Sequence, residues 1–596
     1  MRAISSLLQA GQFRAAHERL EPIVEANPTF VEALRLLAGT KLALGDAQGA
    51  EALLRRALEL DPGWTATQTT LGELLLASGR GSEAEIVLQR ASEGPRADPR
   101  AALVLARYYN DTGRAAQALA VAAPFCTPGR LDPELATQHV TALIALGRQA
   151  QALSLYGKLA GDAPDDPALA QALAIALNAV GRHAQAGQIA HRALARGSGT
   201  ATLCLTYAKS LMAQGASERA ETALRDCLRA EPRLTEAHNG LAQLIWARTG
   251  DLAKATETLD QALQRFGNDD ALWATKAAIL QGAGDARAAH ECLAPRAERP
   301  QAPPVLLVRA GLSALEFDPG QALSLAERAM RLLPDDTSAR NLLAAAQLGV
   351  GDAKGALQNC EALLTRTPDD QYLLALQATA LRLLGDKRYA QLCDYESLIL
   401  PLPVEPPAPW ADLPRFLADL AASLDRLHDP DGHALLFQSL RHGTETTQDL
   451  ARSADPAVRG LFQAFAAPVE RYLEHIGQGA DALRRRNGGK WRFNGSWSVR
   501  LRDRGFHMSH VHPRGWISSA FYVELPDVMA DARTDEGVLS FGKPGILTTP
   551  PLKAEYAVRP TPGMLVLFPS YFWHGTVPFR SPQPRLTVAF DAVPQR

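Results

Sequence analysis

At 596 residues the chain is longer than one ordinary hydrophobic core organises, so several domains or a repeat array are expected. A net charge of −2 excludes a generally basic nucleic-acid binder, and no apolar run approaches the roughly 20 residues that span a bilayer. All six cysteines precede residue 400 and none sits in a CxxC pair, which argues against a disulfide framework or a zinc site. The start, Met1 to Gly11, carries no signal-peptide cleavage region and runs straight into repeat-like sequence. The expectation is a soluble, cytoplasmic protein with no nucleic-acid and no membrane partner.

In chain order the first feature is a repeat. Gly11, Gly45, Gly79, Gly113, Gly147, Gly181 and Gly215 recur every 34 residues, and the series resumes at Gly250, Gly284, Gly351 and Gly385. Five positions after each glycine stands an alanine, from Ala16 and Ala50 to Ala356 and Ala390, while Phe317 and Ala322 fill the remaining gap. Glycine suits a helix end because it takes positive φ without a Cβ clash, and a small alanine lets a second helix lie close to the first. Units that end in Asn27-Pro28, Asp61-Pro62 or Glu231-Pro232 stop the second helix, since proline cannot continue it. The pattern predicts about twelve helix-turn-helix units over residues 1–395. Its period and small-residue positions resemble the tetratricopeptide repeat, which implies a superhelix that holds a protein or peptide partner on its concave face.

Residues 396–409 include Leu400-Pro-Leu-Pro-Val-Glu-Pro-Pro-Ala-Pro409, read as a stiff extended linker and a domain boundary. Composition changes beyond it, with five of the eight tryptophans at or after Trp410. Asp412 to Leu427 and Asp455 to Ile476 have helical spacing, and Ser439 to Thr446 between them reads as a loop. After Gly488-Gly489, five segments read as strands: Trp491 to Leu501, Trp516 to Leu525, Gly537 to Phe541, Met564 to Phe568 and Leu586 to Phe590. Short strands between Gly, Pro and Asp clusters predict a double-sheet, jelly-roll β-domain with flanking helices over residues 410–596. The fold class is thus multidomain, an all-α superhelix followed by that β-domain.

Chemistry concentrates in Gly505-Phe-His-Met-Ser-His-Val-His-Pro513, where His507, His510 and His512 fall within six positions. Neutral imidazole offers a lone pair to a metal at physiological pH, and in an extended segment His510 and His512 share a face. His574 follows the apolar run Gly563 to Pro569, and Arg585 lies eleven residues beyond it. These stretches, with Gly495-Ser-Trp-Ser-Val499, Gly515-Trp-Ile-Ser-Ser519, Trp573-His-Gly-Thr576 and Arg585-Leu-Thr-Val-Ala-Phe-Asp591, resemble the 2OG-Fe(II) oxygenase family often joined to tetratricopeptide repeats. The similarity is expected to reach upstream to Ser439–Thr446.

The resemblance implies Fe(II), 2-oxoglutarate as co-substrate and dioxygen. It implies His510 and His574 as iron ligands and Arg585 as the partner of the distal carboxylate of 2-oxoglutarate, with Thr587 beside it and Tyr522 in the same pocket. Trp516 and Ser518 are expected to line the substrate side. The implied activity is hydroxylation of a protein or peptide recruited by the repeats. The alternative is a non-catalytic repeat scaffold for protein–protein interaction carrying a degenerate oxygenase domain.

One position departs from the wider superfamily. Where most members place a carboxylate two residues after the first histidine, this chain has His512, and no acid occurs from Arg504 to Val523. His512 is open to three readings: third ligand of a three-histidine site, a group supporting a ligand while water fills the third place, or a structural residue. No nucleophile elbow, Walker loop or HExxH helix is present.

Overall fold

The structure is a computed structural model, and it describes residues 2–94, 97–127, 130–197, 199–334 and 336–595. It is an all-α repeat superhelix followed by an antiparallel β-domain of jelly-roll type, and it forms two compact units, Met1–Ser210 and Leu211–Arg596.

The repeats form helix pairs as the glycine spacing predicts, from Arg2–Gln9 with Phe13–Ala26 to Gln371–Leu383 with Arg388–Leu392. Every glycine of the series has φ between +61° and +98°, so a side chain at any of them strains the turn. Of the alanines five positions on, those from Ala16 to Ala356 are buried. Ala390 is exposed because its helix, Arg388–Leu392, is too short to be covered.

In Met1–Ser210 the core is a chain of small clusters, each shared by neighbouring helices, such as Ala16, Leu20, Ala33 and Leu34. A short antiparallel pair, β1 (Cys126–Thr127) with β2 (Arg130–Leu131), lies between helices there.

In Leu211–Arg596 the repeats lead into the β-domain without a break in the core. A single apolar cluster runs from Ala314, Leu342 and Leu373 in the repeats, through Phe416, Phe465 and Tyr472 of the flanking helices, to Phe521, Phe568 and Phe590 in the sheets. Among the described residues nine strands follow the repeats: β3 (Leu400–Pro403), β4 (Leu440–Glu445), β5 (Trp491–His507), β6 (Ile517–Glu524), β7 (Leu539–Phe541), β8 (Tyr556–Val558), β9 (Met564–Pro569), β10 (His574–Thr576) and β11 (Arg585–Pro594). One sheet has the order β3-β9-β6-β11-β5-β4 and the other β10-β7-β8, all pairs antiparallel.

Two expectations change. The proline-rich segment is extended, but it is not a free linker: Leu400–Pro403 pairs with Met564–Leu567 as the edge strand of the larger sheet, where prolines are tolerated because the outer side needs no donor. Ser439–Thr446 is not a loop either, since Leu440–Glu445 forms β4 on the other edge, paired with β5. The polar sequence of β4 hid a strand that has only one neighbour to satisfy.

Repeat helices also hold the loops of the β-domain. Trp573 Nε1 donates to Thr379 Oγ1 at 3.0 Å, and Arg382 donates to the carbonyls of Gly542 and Lys553 at 2.8 and 2.9 Å. The segment leading into β4 is pinned in the same way. His433 N–H reaches Ala247 O at 2.8 Å, Trp246 Nε1 reaches Ala434 O at 2.9 Å, and Phe437 N–H reaches Gly282 O at 3.1 Å.

Candidate metal centre and its pocket

Two short backbone hydrogen bonds build the centre. His510 N–H donates to His574 O at 2.9 Å and His574 N–H returns to His510 O at 3.0 Å, an isolated bridge that joins the turn after β5 to β10. It sets the two imidazoles side by side, with ring centroids 4.3 Å apart. His512 follows, its ring 5.1 Å from each of the other two. One ring nitrogen from each of His510, His512 and His574 lies within 4.8 Å of the others.

In all three rings Nδ1 is committed, while the Nε2 of His510 lies 3.4 Å from Ser439 Oγ. His510 Nδ1 donates to Met508 O at 2.8 Å, His574 Nδ1 to Phe572 O at 2.9 Å, and His512 Nδ1 to Asp591 Oδ1 at 2.6 Å. Carbonyl and carboxylate oxygens only accept, so each Nδ1 carries a proton, and wherever the ring is neutral its Nε2 presents a lone pair. His510 Nε2 and His512 Nε2 are only 3.2 Å apart. At that distance the two nitrogens need a cation between them, either a metal ion or a proton on His512 Nε2 that His510 Nε2 accepts.

Electrostatics divides the three rings. Burial lowers His510 to about 3 and holds His574 and His507 well below the ordinary imidazole range, so these rings stay neutral. For His512 burial also opposes the charge, but Asp591 outweighs it and raises the group above its ordinary value. Asp591 Oδ1 accepts in turn from Ser518 Oγ at 2.7 Å, and Ser518 Oγ lies 2.8 Å from Ser570 Oγ. His507 turns aside, its Nδ1 3.0 Å from Ser439 Oγ.

The cluster opens on a cavity of about 620 Å³, whose wall includes Arg585, Thr587, Trp497 and Glu445. Arg585 is 3% exposed, its guanidinium lies 5.3 Å from the Tyr522 ring centroid, and its Nε has no hydrogen-bond partner. It forms no ion pair with a described acid, and burial lowers its pKa. A buried cation without a counter-charge suits an anionic ligand. The Tyr522 hydroxyl is likewise buried, and Arg585 is the charge that acts on it. Thr587, paired with Tyr522 and Val499 across the sheet, makes only a 3.4 Å contact with Val499 O.

The sequence-based candidates therefore divide. His510, His512, His574, Arg585 and Thr587 meet at one cavity, and Tyr522 stands directly behind Arg585. Trp516 and Ser518 do not line it. Trp516 is 1% exposed, its indole N–H bound to Leu483 O at 3.0 Å, because it packs under the sheet. Ser518 is fully buried and spends its hydroxyl on Asp591.

Two acids on the cavity escaped the sequence reading. Asp591 shares the strand face of Arg585 and Thr587 at two-residue spacing, a signal present in the sequence. Glu445 gave no signal because its strand was read as a loop. Its carboxyl is raised to about 7, chiefly by burial.

Fold and site together define a repeat protein joined to a double-sheet β-domain with a three-histidine candidate metal centre. Residues 495–591 match the family model described as "Putative 2OG-Fe(II) oxygenase", and residues 7–66, 41–108 and 205–271 match tetratricopeptide repeat models. The chain therefore carries a 2OG-Fe(II) oxygenase domain of that description together with tetratricopeptide repeats. The oxygenase match does not extend upstream to Ser439–Thr446.

No curated protein matches the chain. Solved structures similar to it include a tetratricopeptide repeat protein from Parabacteroides merdae, 17% identical over 41% of this chain and 97% of that one, with a TM-score of 0.32. Human IFIT1 is 17% identical over 61% and 89%, with a TM-score of 0.31, and yeast Tom70 is 14% identical over 66% and 95%, with a TM-score of 0.27. At such scores these likenesses carry no argument.

Proposed function

We propose that the protein is an Fe(II)- and 2-oxoglutarate-dependent dioxygenase that hydroxylates a protein or peptide recruited by its repeats. The observation that carries this reading is the convergence of three imidazoles, each oriented by a committed Nδ1, on a cavity lined by the buried Arg585, which has no ion pair with a described acid. Imidazole suits iron, and His510, His512 and His574 would hold it with positions left for exogenous ligands. Bound there, Fe(II) with 2-oxoglutarate supplies dioxygen activation coupled to loss of carbon dioxide from the oxoacid.

The chain's own residues do the rest. Asp591 orients His512 and balances part of its charge, and Ser518 orients Asp591. Arg585 anchors the distal carboxylate of 2-oxoglutarate, assisted by Thr587, and Tyr522 backs the guanidinium with its ring. The net reaction converts substrate, dioxygen and 2-oxoglutarate into hydroxylated substrate, succinate and carbon dioxide. Repeats within 1–395 recruit the substrate, residues 410–596 hold the chemistry, and the setting is the cytoplasm. No helix among the described residues is long and apolar enough to cross a membrane.

The test is iron content after anaerobic reconstitution, followed by succinate release from 2-oxoglutarate. Bound Fe(II) and succinate are expected. A protein that takes up no iron, or takes it up and releases no succinate, overturns the reading. Arg585→Leu should raise the 2-oxoglutarate requirement by the equivalent of about 2–5 kcal/mol while iron stays bound. Unchanged 2-oxoglutarate affinity in that variant removes Arg585 from the role.

A further inference from the structure

Glu445 is an acid on the cavity wall whose carboxylate is bonded to no described residue, although its charge acts on His512. It ends β4, directly opposite Val499 and in the same cross-strand row as Thr587, and its half-buried carboxylate lines the cavity. Asp591, the other acid there, is spent on His512 and Ser518. Glu445 makes no hydrogen bond or ion pair with a described residue, and Arg514, exposed on the same wall, does not pair with it. A carboxylate taken largely out of water without a partner is costly, and an incoming cation removes that cost.

Two aromatic rings share the wall. Trp497 lies two residues from Val499 on the same strand face, its ring centroid 5.6 Å from that of His512. Phe437 is 57% exposed, with φ of 68°, a conformation that costs a phenylalanine energy. Its N–H is held by Gly282 O at the end of the repeat helix Asp270–Gly282. A carboxylate and aromatic rings on one cavity wall are the chemistry that recognises an ammonium or guanidinium group.

Resting on the dioxygenase reading above, we propose that Glu445, with Trp497 and Phe437, selects a basic residue, lysine or arginine, of a substrate peptide and places it beside the metal centre. Glu445 is the specificity determinant, and Phe437 forms the rim over which the peptide enters from the repeats. The oxoacid and the substrate are thereby separated by charge. Arg585 takes the anion and Glu445 takes the cation.

The experiment uses the full chain reconstituted with Fe(II) and four randomised peptide pools of equal length, fixed centrally as Lys, Arg, Leu or Glu. Free lysine and arginine are run in parallel. Succinate release and equilibrium binding are both read, the second because it needs no turnover. For the wild type a Lys or Arg pool should exceed the Leu pool by about tenfold or more in binding and in stimulated succinate, and the free amino acids should not match it. In Glu445→Gln that ratio should fall to near one, and in Glu445→Lys the Glu pool should become the preferred one.

Several results overturn the proposal. These are a wild type that does not distinguish the basic pools from the Leu pool in binding, a preference that survives in Glu445→Gln, or free amino acids that match the pools. Loss of iron from Glu445→Gln also overturns it, by assigning the carboxylate to the metal. Failure of the dioxygenase reading looks different, since it shows as absent iron or succinate in the wild type, and the binding ratio then still decides the fate of Glu445.

Discussion

The repeats of Met1–Ser210 and those of Leu211–Arg596 share one sequence pattern and do different physical work. In the first unit each helix pair buries its alanines and leucines against its neighbours alone, as expected for a quasi-one-dimensional stack. In the second, the last repeats share one core with the β-domain and hold its loops through Trp573, Arg382 and Phe437. The same repeat chemistry thus supports only itself in one region and the β-domain that carries the candidate site in the other. Damage should stay local in the first unit and reach the metal centre in the second.

The largest expected contrast comes from deleting one large buried side chain in each unit. Trp573→Ala removes the ring beside His574 and its bond to Thr379, and should cost roughly 3–5 kcal/mol and lower iron occupancy. Tyr156→Ala, which removes a fully buried ring bonded to Ala136 O, should cost a similar amount in the first unit and leave iron content at the wild-type level. Segment-resolved hydrogen exchange with iron analysis reads both. Equal iron loss in the two variants breaks the comparison.

Acid should act on both units through buried histidines, among them His139 in the first and, beside the cavity histidines, His428 in the second. Burial lowers His139 and His428 from 6.5 to about 4, so the unfolded chain binds these protons first as pH falls. The stabilisation is complete above pH 6.5 and is lost between pH 6.5 and 4, on the order of 3 kcal/mol per residue. His428 bridges Thr444 Oγ1 and Ser498 Oγ at 2.9 and 3.0 Å, so His428→Asn should flatten the acid limb for the second unit only. Denaturant unfolding across that window checks it, and an unchanged slope in the variant refutes the assignment.

A smaller effect concerns the metal alone. Asp591→Asn should weaken iron binding by about 10–100-fold, the scale of an outer partner of a ligand, and leave the repeats unaffected. His507→Ala should keep its metal, since that ring is bound to Ser439 instead. Iron titration under anaerobic conditions separates the two, and full affinity in Asp591→Asn removes the carboxylate from the design of the site.

The smallest expected effect is an absence. Because Leu400–Pro403 is hydrogen-bonded into the sheet, limited proteolysis should spare it instead of releasing a separate β-domain. Mass spectrometry of the fragments decides. Early cleavage within 400–404 would show a β-domain that separates from the repeats.

The sequence by itself determined what local backbone chemistry dictates. Glycines that need positive φ and alanines that admit a close helix announced the repeats, and alternation along extended segments announced most strands of the β-domain and the shared faces of His510 with His512 and of Arg585 with Thr587. Only the tertiary structure decided which groups from distant segments meet. Sheet order and register carried Asp591 to His512 and Glu445 onto the cavity wall, buried Trp516 under the sheet, turned Ser518 toward Asp591, and made edge strands of a proline run and a polar stretch. The physical reason is one of range. Preferences for φ and for alternation act within a few residues and are written in the spacing of the chain. A carboxylate finds its histidine across 79 positions only through the pairing of strands that the common core brings together.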